Sequence, residues 1–245
     1  DGTQQTKRFI RHGTTVHGIQ FTSPALQNIL TAYYSEDGPL GDVFRLFPYE
    51  HTALVGLGVG TINCYNKGTT PFTFIEIDPA VVYAARNYFK YLSDCNKDAP
   101  PKIMIGDGRI ELSKLPEGSL DIIVLDAFSS DTIPTHLLTV DALKEYSGKL
   151  KDNGIIAFNL SNRYFNLLKI MGVNANAAGL KAYWKLTDPE DKTYSYSSLW
   201  MVIGKNQESL QPLKNHGWAE EGVTAHLRPW TDDYTNLMGM LEFKL

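Results

Sequence analysis

The chain has 245 residues, 43% of them hydrophobic, which suits one large α/β domain with its own core. Its 23 basic and 27 acidic residues leave a net charge of −4, against the basic excess expected of a nucleic-acid binder. No apolar run is long enough to cross a bilayer, and no signal-peptide pattern is present. Cys64 and Cys95 lie far apart without metal-ligand spacing. They read as free thiols of a reducing, cytoplasmic compartment, with no metal. The chain starts at Asp1 without methionine, so it reads as a piece of a longer protein.

In chain order, Lys7 to Ile10 and Thr14 to Gln20 alternate loosely and predict a short β-hairpin. Ser35-Glu36-Asp37-Gly38-Pro39 is a turn cluster, and Leu40 to Phe47 has helical spacing. Leu54-Val55-Gly56-Leu57-Gly58-Val59-Gly60 is an apolar strand running into a glycine turn, with a short helix expected after Gly60. Glycines there tolerate positive φ and let a ligand approach bare backbone. The next strand, ending at Glu76-Ile77-Asp78, precedes a helix with Asp78 as N-cap and Pro79 at its first position.

Lys102 to Ile105 predicts a third strand, ended by Gly106-Asp107-Gly108, and Ile110 to Leu115 a brief helix. Leu120 to Leu125 is almost wholly apolar, as a central strand buried on both faces should be. Its end carries Asp126 to Asp131. A helix over Thr139 to Leu150 and a strand over Gly154 to Phe158 follow. Lys181 to Leu186 and Leu199 to Ile203 predict a closing hairpin, and Thr231 caps an expected final helix. The β-α alternation implies a parallel sheet with right-handed crossovers. The division is a lid element over residues 1–48 and a nucleoside-binding domain over 49–245.

The glycine spacing at 56, 58 and 60 narrows the ligand. A dinucleotide fingerprint wants G-x-G-x-x-G, and Thr61 stands at its third glycine. G-x-G-x-G with an acidic residue ending the next strand is the commoner pattern of S-adenosylmethionine sites. Glu76, Asp107, Asp126 and Asp131 all follow strand ends, where an open α/β sheet binds its ligand. Each alone is more often a cap or turn residue. Four at one edge repel each other unless a ligand or a function compensates.

These motifs resemble the spermidine synthases, the polyamine aminopropyltransferases. The His12-Gly13-Thr14-Thr15-Val16-His17-Gly18-Ile19-Gln20 stretch, Tyr33-Tyr34 with Gly38-Pro39, and Trp230-Thr231-Asp232-Asp233 are similar to a spermidine-synthase-like branch often fused to membrane segments. The resemblance implies a Rossmann-like methyltransferase fold: a mostly parallel seven-stranded sheet with a C-terminal antiparallel hairpin. It implies Gly56, Gly58, Gly60, Glu76, Ile77, Asp107 and Gly108 around the nucleoside, with Glu76 on the ribose and Asp107 on the adenine amino group. Gln20 would reach the nucleoside from the lid. Asp126 would take the amine's proton, and Asp131 would help hold the cation.

Tyr33 and Tyr34 either line the alkyl chain or pack. Asp232 either reaches the substrate or serves the first turn of a helix. His12 and His17 lie on the lid without metal spacing, and His136 reads as a cap or solvated residue. The implied donor is decarboxylated S-adenosylmethionine, the acceptor a polyamine such as putrescine. A homodimer is compatible with the resemblance. The family places an aspartate where this chain has Val59, which opens the alternative of methyl transfer from intact S-adenosylmethionine. A nucleoside- or polyamine-sensing domain without turnover is the third reading.

Overall fold

The computed structural model describes residues 5–12, 15–127, 133–162, 164–190, 193–222 and 226–242. A bulged antiparallel hairpin of β1 (Lys7–His12) and β2 (Thr15–Phe21) stands apart from the main sheet. Helix α1 (Pro39–Leu46) leads to β3 (Thr52–Val55), the glycine turn and a 3₁₀ turn over Thr61–Tyr65. Then come β4 (Thr73–Glu76), α2 (Pro79–Tyr88), α3 (Tyr91–Asp94), β5 (Lys102–Ile105) and α4 (Gly108–Ser113). β6 (Leu120–Leu125), a 3₁₀ turn at Thr135–Leu137, α5 (Val140–Lys149) and β7 (Leu150–Asn159) complete the parallel part.

Helix α6 (Leu168–Ala177), β8 (Lys181–Thr187), β9 (Ser198–Gly204), α7 (Gln207–Asn215) and β10 (Ala219–Glu220) follow. The sheet runs β10-β8-β9-β7-β6-β3-β4-β5, parallel from β7 to β5 and antiparallel from β7 to β10. It has eight strands where seven were expected, because the short β10 pairs with β8 at the edge.

Strand periodicity divides the core between the two faces of the sheet. Leu54, Phe74, Val124 and Ala157 join one apolar cluster, while their neighbours Val55, Ile75, Leu125 and Phe158 join the other. β3 and β6 are buried along their whole length, which is why they read as continuous apolar runs. Asp78 caps α2 by accepting from Ala80 N at 2.8 Å. At the other side, α1 packs on β8 and β9. Its buried Asp42 accepts from Lys185 Nζ at 2.7 Å, Trp218 Nε1 at 3.0 Å and Arg45 Nη2 at 2.6 Å.

Two sequence expectations are corrected. No helix follows Thr231 among the described residues: Thr231 and Tyr234 close a tight turn on each other at 2.9 and 3.0 Å, and only a 3₁₀ turn forms at Met238–Met240. Asp232 is drawn into tertiary contacts instead of the first turn of a helix, and the Arg228 guanidinium sits 4.0 Å over the Tyr234 ring.

The second correction concerns the cysteines, which are joined in a disulfide, with Cα atoms 4.7 Å apart across 31 residues of sequence. The turn that follows the glycines and the end of α3 meet in space, which sequence distance conceals. The bond fastens the glycine turn to α3, whose Leu92 packs on Gly60. Closing a loop of this length stabilises by about 3.7 kcal/mol in the chain-entropy account. Cys64→Ser with Cys95→Ser is therefore expected to lower Tm by roughly 7–15 °C in a thermal melt. An unchanged Tm would show that the cross-link constrains little. Among the described residues, no helix is long and apolar enough to cross a membrane.

Candidate active site

The carboxyl ends of β3, β4, β5 and β6 open onto a cavity of about 530 Å³, roofed on one side by the lid residues Ile10, Val16 and His17. Gly56, Gly58, Glu76, Ile77, Asp107, Gly108, Tyr33, Tyr34 and Asp126 all line it. Gly56 has φ +97°, and a Cβ there would lie 2.2 Å from the Asp126 carbonyl oxygen. Only glycine lets β3 turn this close to the end of β6. A Cβ on Gly58 would likewise lie 2.4 Å from the His17 carbonyl, so the lid and the glycine turn touch backbone to backbone.

Glu76, nearly buried, spans the turn: Oε2 accepts from Leu57 N and Oε1 from Asp78 N, both at 3.0 Å. Backbone donors fix the carboxylate plane and leave acceptor capacity on each oxygen for ligand hydroxyls. Asp107 caps α4, Oδ1 accepting from Arg109 N and Ile110 N at 3.0 Å each, while Oδ2 meets His136 Nε2 at 3.0 Å. Burial pushes Asp107 upward, but the Ile110 N–H, the His136 ring and the Arg109 N–H hold it below the usual carboxylate range.

Asp126 forms the floor of the cavity. Its Oδ2 accepts from the Tyr34 hydroxyl at 2.5 Å and its Oδ1 from Asn159 Nδ2 at 2.9 Å. Burial pushes its carboxyl up to about 6 against the help of both donors, and the Glu76 charge adds to the rise. Burial and the adjacent Asp126 also keep the Tyr34 phenol protonated, well above its ordinary range. Asn159 is set for donation because its own Oδ1 accepts from Ser161 N at 3.0 Å.

The tyrosine pair is aimed by an unusual backbone. Ala32 has φ +57°, a conformation costing about 1–2 kcal/mol for an L-residue. It is held by Ala32 N to Tyr194 O at 2.6 Å and Tyr196 N to Ala32 O at 3.0 Å. Tyr33 then packs edge-on against Tyr34 and Tyr196, with ring centroids 6.2 and 5.6 Å apart. Both side chains line the cavity, and both take part in this ring packing.

The sequence profile of the Spermine/spermidine synthase domain matches residues 53–211, more than half the chain. The chain belongs to the spermine/spermidine synthase family. Among its relatives is a protein named polyamine aminopropyltransferase from Xanthomonas euvesicatoria pv. vesicatoria (strain 85-10). It is 26% identical over 186 residues, covering 74% of this chain and 58% of that protein. The chain spans 37% to 58% of the length of the first such relatives it matches.

Among solved structures, spermidine synthase from Thermotoga maritima superposes with a TM-score of 0.54 at 18% identity, covering 92% of this chain and 82% of that one. Human methyltransferase-like protein 13, in complex with SAH, gives 0.51 at 18% identity, covering 82% and 96%. The fold is therefore the Rossmann-like methyltransferase type, with the antiparallel hairpin at its C-terminal end.

Within this family member, three expected site residues lie off the cavity wall. Gln20 is buried, with Oε1 accepting from Lys90 N at 3.0 Å and Nε2 donating to Gln27 O at 2.8 Å, so its amide fastens the lid. Gly60 faces Leu92 instead. Both oxygens of Asp232 accept from Arg109, at 2.7 and 2.8 Å, and Thr139 Oγ1 donates to Oδ1 at 2.8 Å. Asp131 lies outside the described residues.

Conversely, Asn159, Ser161, His17 and His136 line the cavity without having been singled out as binding residues. Asn159 ends β7 and Ser161 lies just beyond it, so the strand-end argument applied to polar residues as well as acids would have found them.

Proposed function

We propose that this synthase-family chain carries out aminopropyl transfer from decarboxylated S-adenosylmethionine to a polyamine such as putrescine. The carrying observation is Asp126: a partly buried carboxylate at the cavity floor, held by Tyr34 and Asn159, and raised toward neutrality. Glu76 takes the ribose hydroxyls and Asp107 the adenine amino group, with Ile77 and Gly108 beside the base. A sulfonium is already a good leaving group, so positioning and a neutral amine are what the protein must supply.

The ionised Asp126 attracts the ammonium form of the acceptor and takes its proton. The freed nitrogen attacks the carbon next to sulfur, the carbon–sulfur bond breaks with its electron pair going to sulfur, and methylthioadenosine leaves. Tyr33 and Tyr34 present ring faces to the alkyl chain and its charge. No metal enters this scheme. Cytoplasmic placement was expected from free thiols, and the disulfide removes that ground, since such bonds persist in oxidising compartments.

Methyl transfer from intact S-adenosylmethionine has one observation in its favour. Val59 is buried, with its side chain 2.3 Å from where a Gly18 Cβ would stand, so it packs on the lid and offers the donor tail no charge. Mass spectrometry separates the readings. Incubation with the decarboxylated donor and putrescine is expected to yield methylthioadenosine and spermidine. S-adenosylhomocysteine from intact donor would favour methyl transfer, and binding without any product would favour a sensor.

A further inference from the structure

Asp107 is gripped from two sides, and only one belongs to its own helix. Its Oδ1 is saturated by the Arg109 and Ile110 N–H groups, since a carboxylate oxygen offers about two acceptor directions. Oδ2 receives His136 Nε2 at 3.0 Å and keeps one direction for a ligand. His136 comes from the 3₁₀ turn at Thr135–Leu137 and lines the same cavity. Because the carboxylate is held ionised and can only accept, Nε2 must be the donor in this pair.

The turn carrying His136 is itself fixed. Arg109 Nη1 donates to the His136 carbonyl at 3.1 Å. The same guanidinium is forked onto Glu145 at 2.6 and 2.8 Å and onto Asp232 at 2.7 and 2.8 Å. Glu145 belongs to α5 and Asp232 to the turn after Trp230, so two distant elements hold one short segment in register. Among the described residues, Asp107, Arg109 and Asp232 act on His136 directly, and Glu145 acts through Arg109.

We propose that His136 is a positioning residue for base recognition: it pins Asp107 so that one oxygen accepts from the amino group of an adenine and turns away a 6-oxo purine. This rests on the nucleoside reading above and adds to it a residue and a selectivity. An acceptor-only oxygen meets the adenine amino group as a donor, whereas the carbonyl of a 6-oxo purine sets two acceptors face to face. A site built this way rejects the wrong partner strongly, because its polar group is left unpaired.

Titration calorimetry with methylthioadenosine and methylthioinosine, on the intact chain and two variants, tests this. The unaltered protein is expected to favour the amino form by at least about a hundredfold. His136→Ala should weaken methylthioadenosine about tenfold and leave methylthioinosine nearly unchanged. His136→Gln, whose amide nitrogen reaches the place of Nε2, should recover most of the loss. Selectivity unchanged in His136→Ala, equal weakening of both purines, or no recovery in His136→Gln would overturn the proposal while the nucleoside reading stands. Failure of the unaltered protein to bind methylthioadenosine would remove both.

Discussion

Asp126→Asn is expected to slow turnover severely while making the protein more stable at neutral pH. Loss of a general base costs about 10²- to 10⁴-fold in rate. The stability gain follows from the raised carboxyl, about 6 in the fold against an ordinary 3.8. Between those values the native state holds more protons than the unfolded chain, so stability falls as pH rises through this window. Above it the partly buried charge costs up to about 3 kcal/mol, a penalty that asparagine does not carry.

The asparagine keeps one local contact and reverses the direction of the other. Its oxygen can accept from Asn159 Nδ2 and its amide can donate to the Tyr34 oxygen. A Tm higher by roughly 5–10 °C at pH 8, with the difference closing toward pH 4, is the expected melt series. On the proposed activity, kcat/KM of the unaltered protein should fall about tenfold per pH unit below pH 6, since only the ionised form takes a proton. Bound ammonium favours that charged form, so the acid limb of kcat should lie lower than that of kcat/KM. Equal melting at pH 8 and substantial residual turnover would together remove Asp126 from the role of partly buried base.

Gly56→Ala is expected to damage both the fold and the site. The new Cβ would stand 2.2 Å from the Asp126 carbonyl oxygen, and φ +97° is itself unfavourable for alanine. Relief requires β3 and β6 to part at their carboxyl ends, which moves Asp126 and opens the floor of the cavity. A loss of about 3 kcal/mol or more is expected, with loss of methylthioadenosine binding. Gly118→Ala is the control: φ there is +61°, yet nothing lies within 4 Å of the added methyl. It should cost only about 1 kcal/mol and leave binding intact. Equal behaviour of the two variants, read by thermal melts and calorimetry, would show that backbone conformation matters at Gly56 and the contact with Asp126 does not.

Much of the architecture was legible because its causes are local. Asp78-Pro79 makes a helix start out of one side-chain acceptor and one fixed φ, and Leu120 to Leu125 reads as a central strand from residue type alone. The two long helices that escaped notice lack local marks. Helix α6 is buried from Ile170 through Ala175, so it shows no polar stripe, and α7 carries Pro212 inside it. At the site, the glycine turn, Glu76, Asp107 and Asp126 could be placed together because each ends a strand or its turn at one edge of one sheet.

The sequence by itself thus determined the parallel half of the sheet, its glycine turn and the acids on its rim, since strand period, caps and turn chemistry act over a few residues. Tertiary structure alone decided that Tyr34 and Asn159 close on Asp126 and that Cys64 meets Cys95. It also decided that Asp232 serves Arg109 and that Thr231 starts a turn and no helix. Each of these depends on which distant segments pack together. Burial of apolar surface settles that packing for the whole chain at once, and no short window of residues records it.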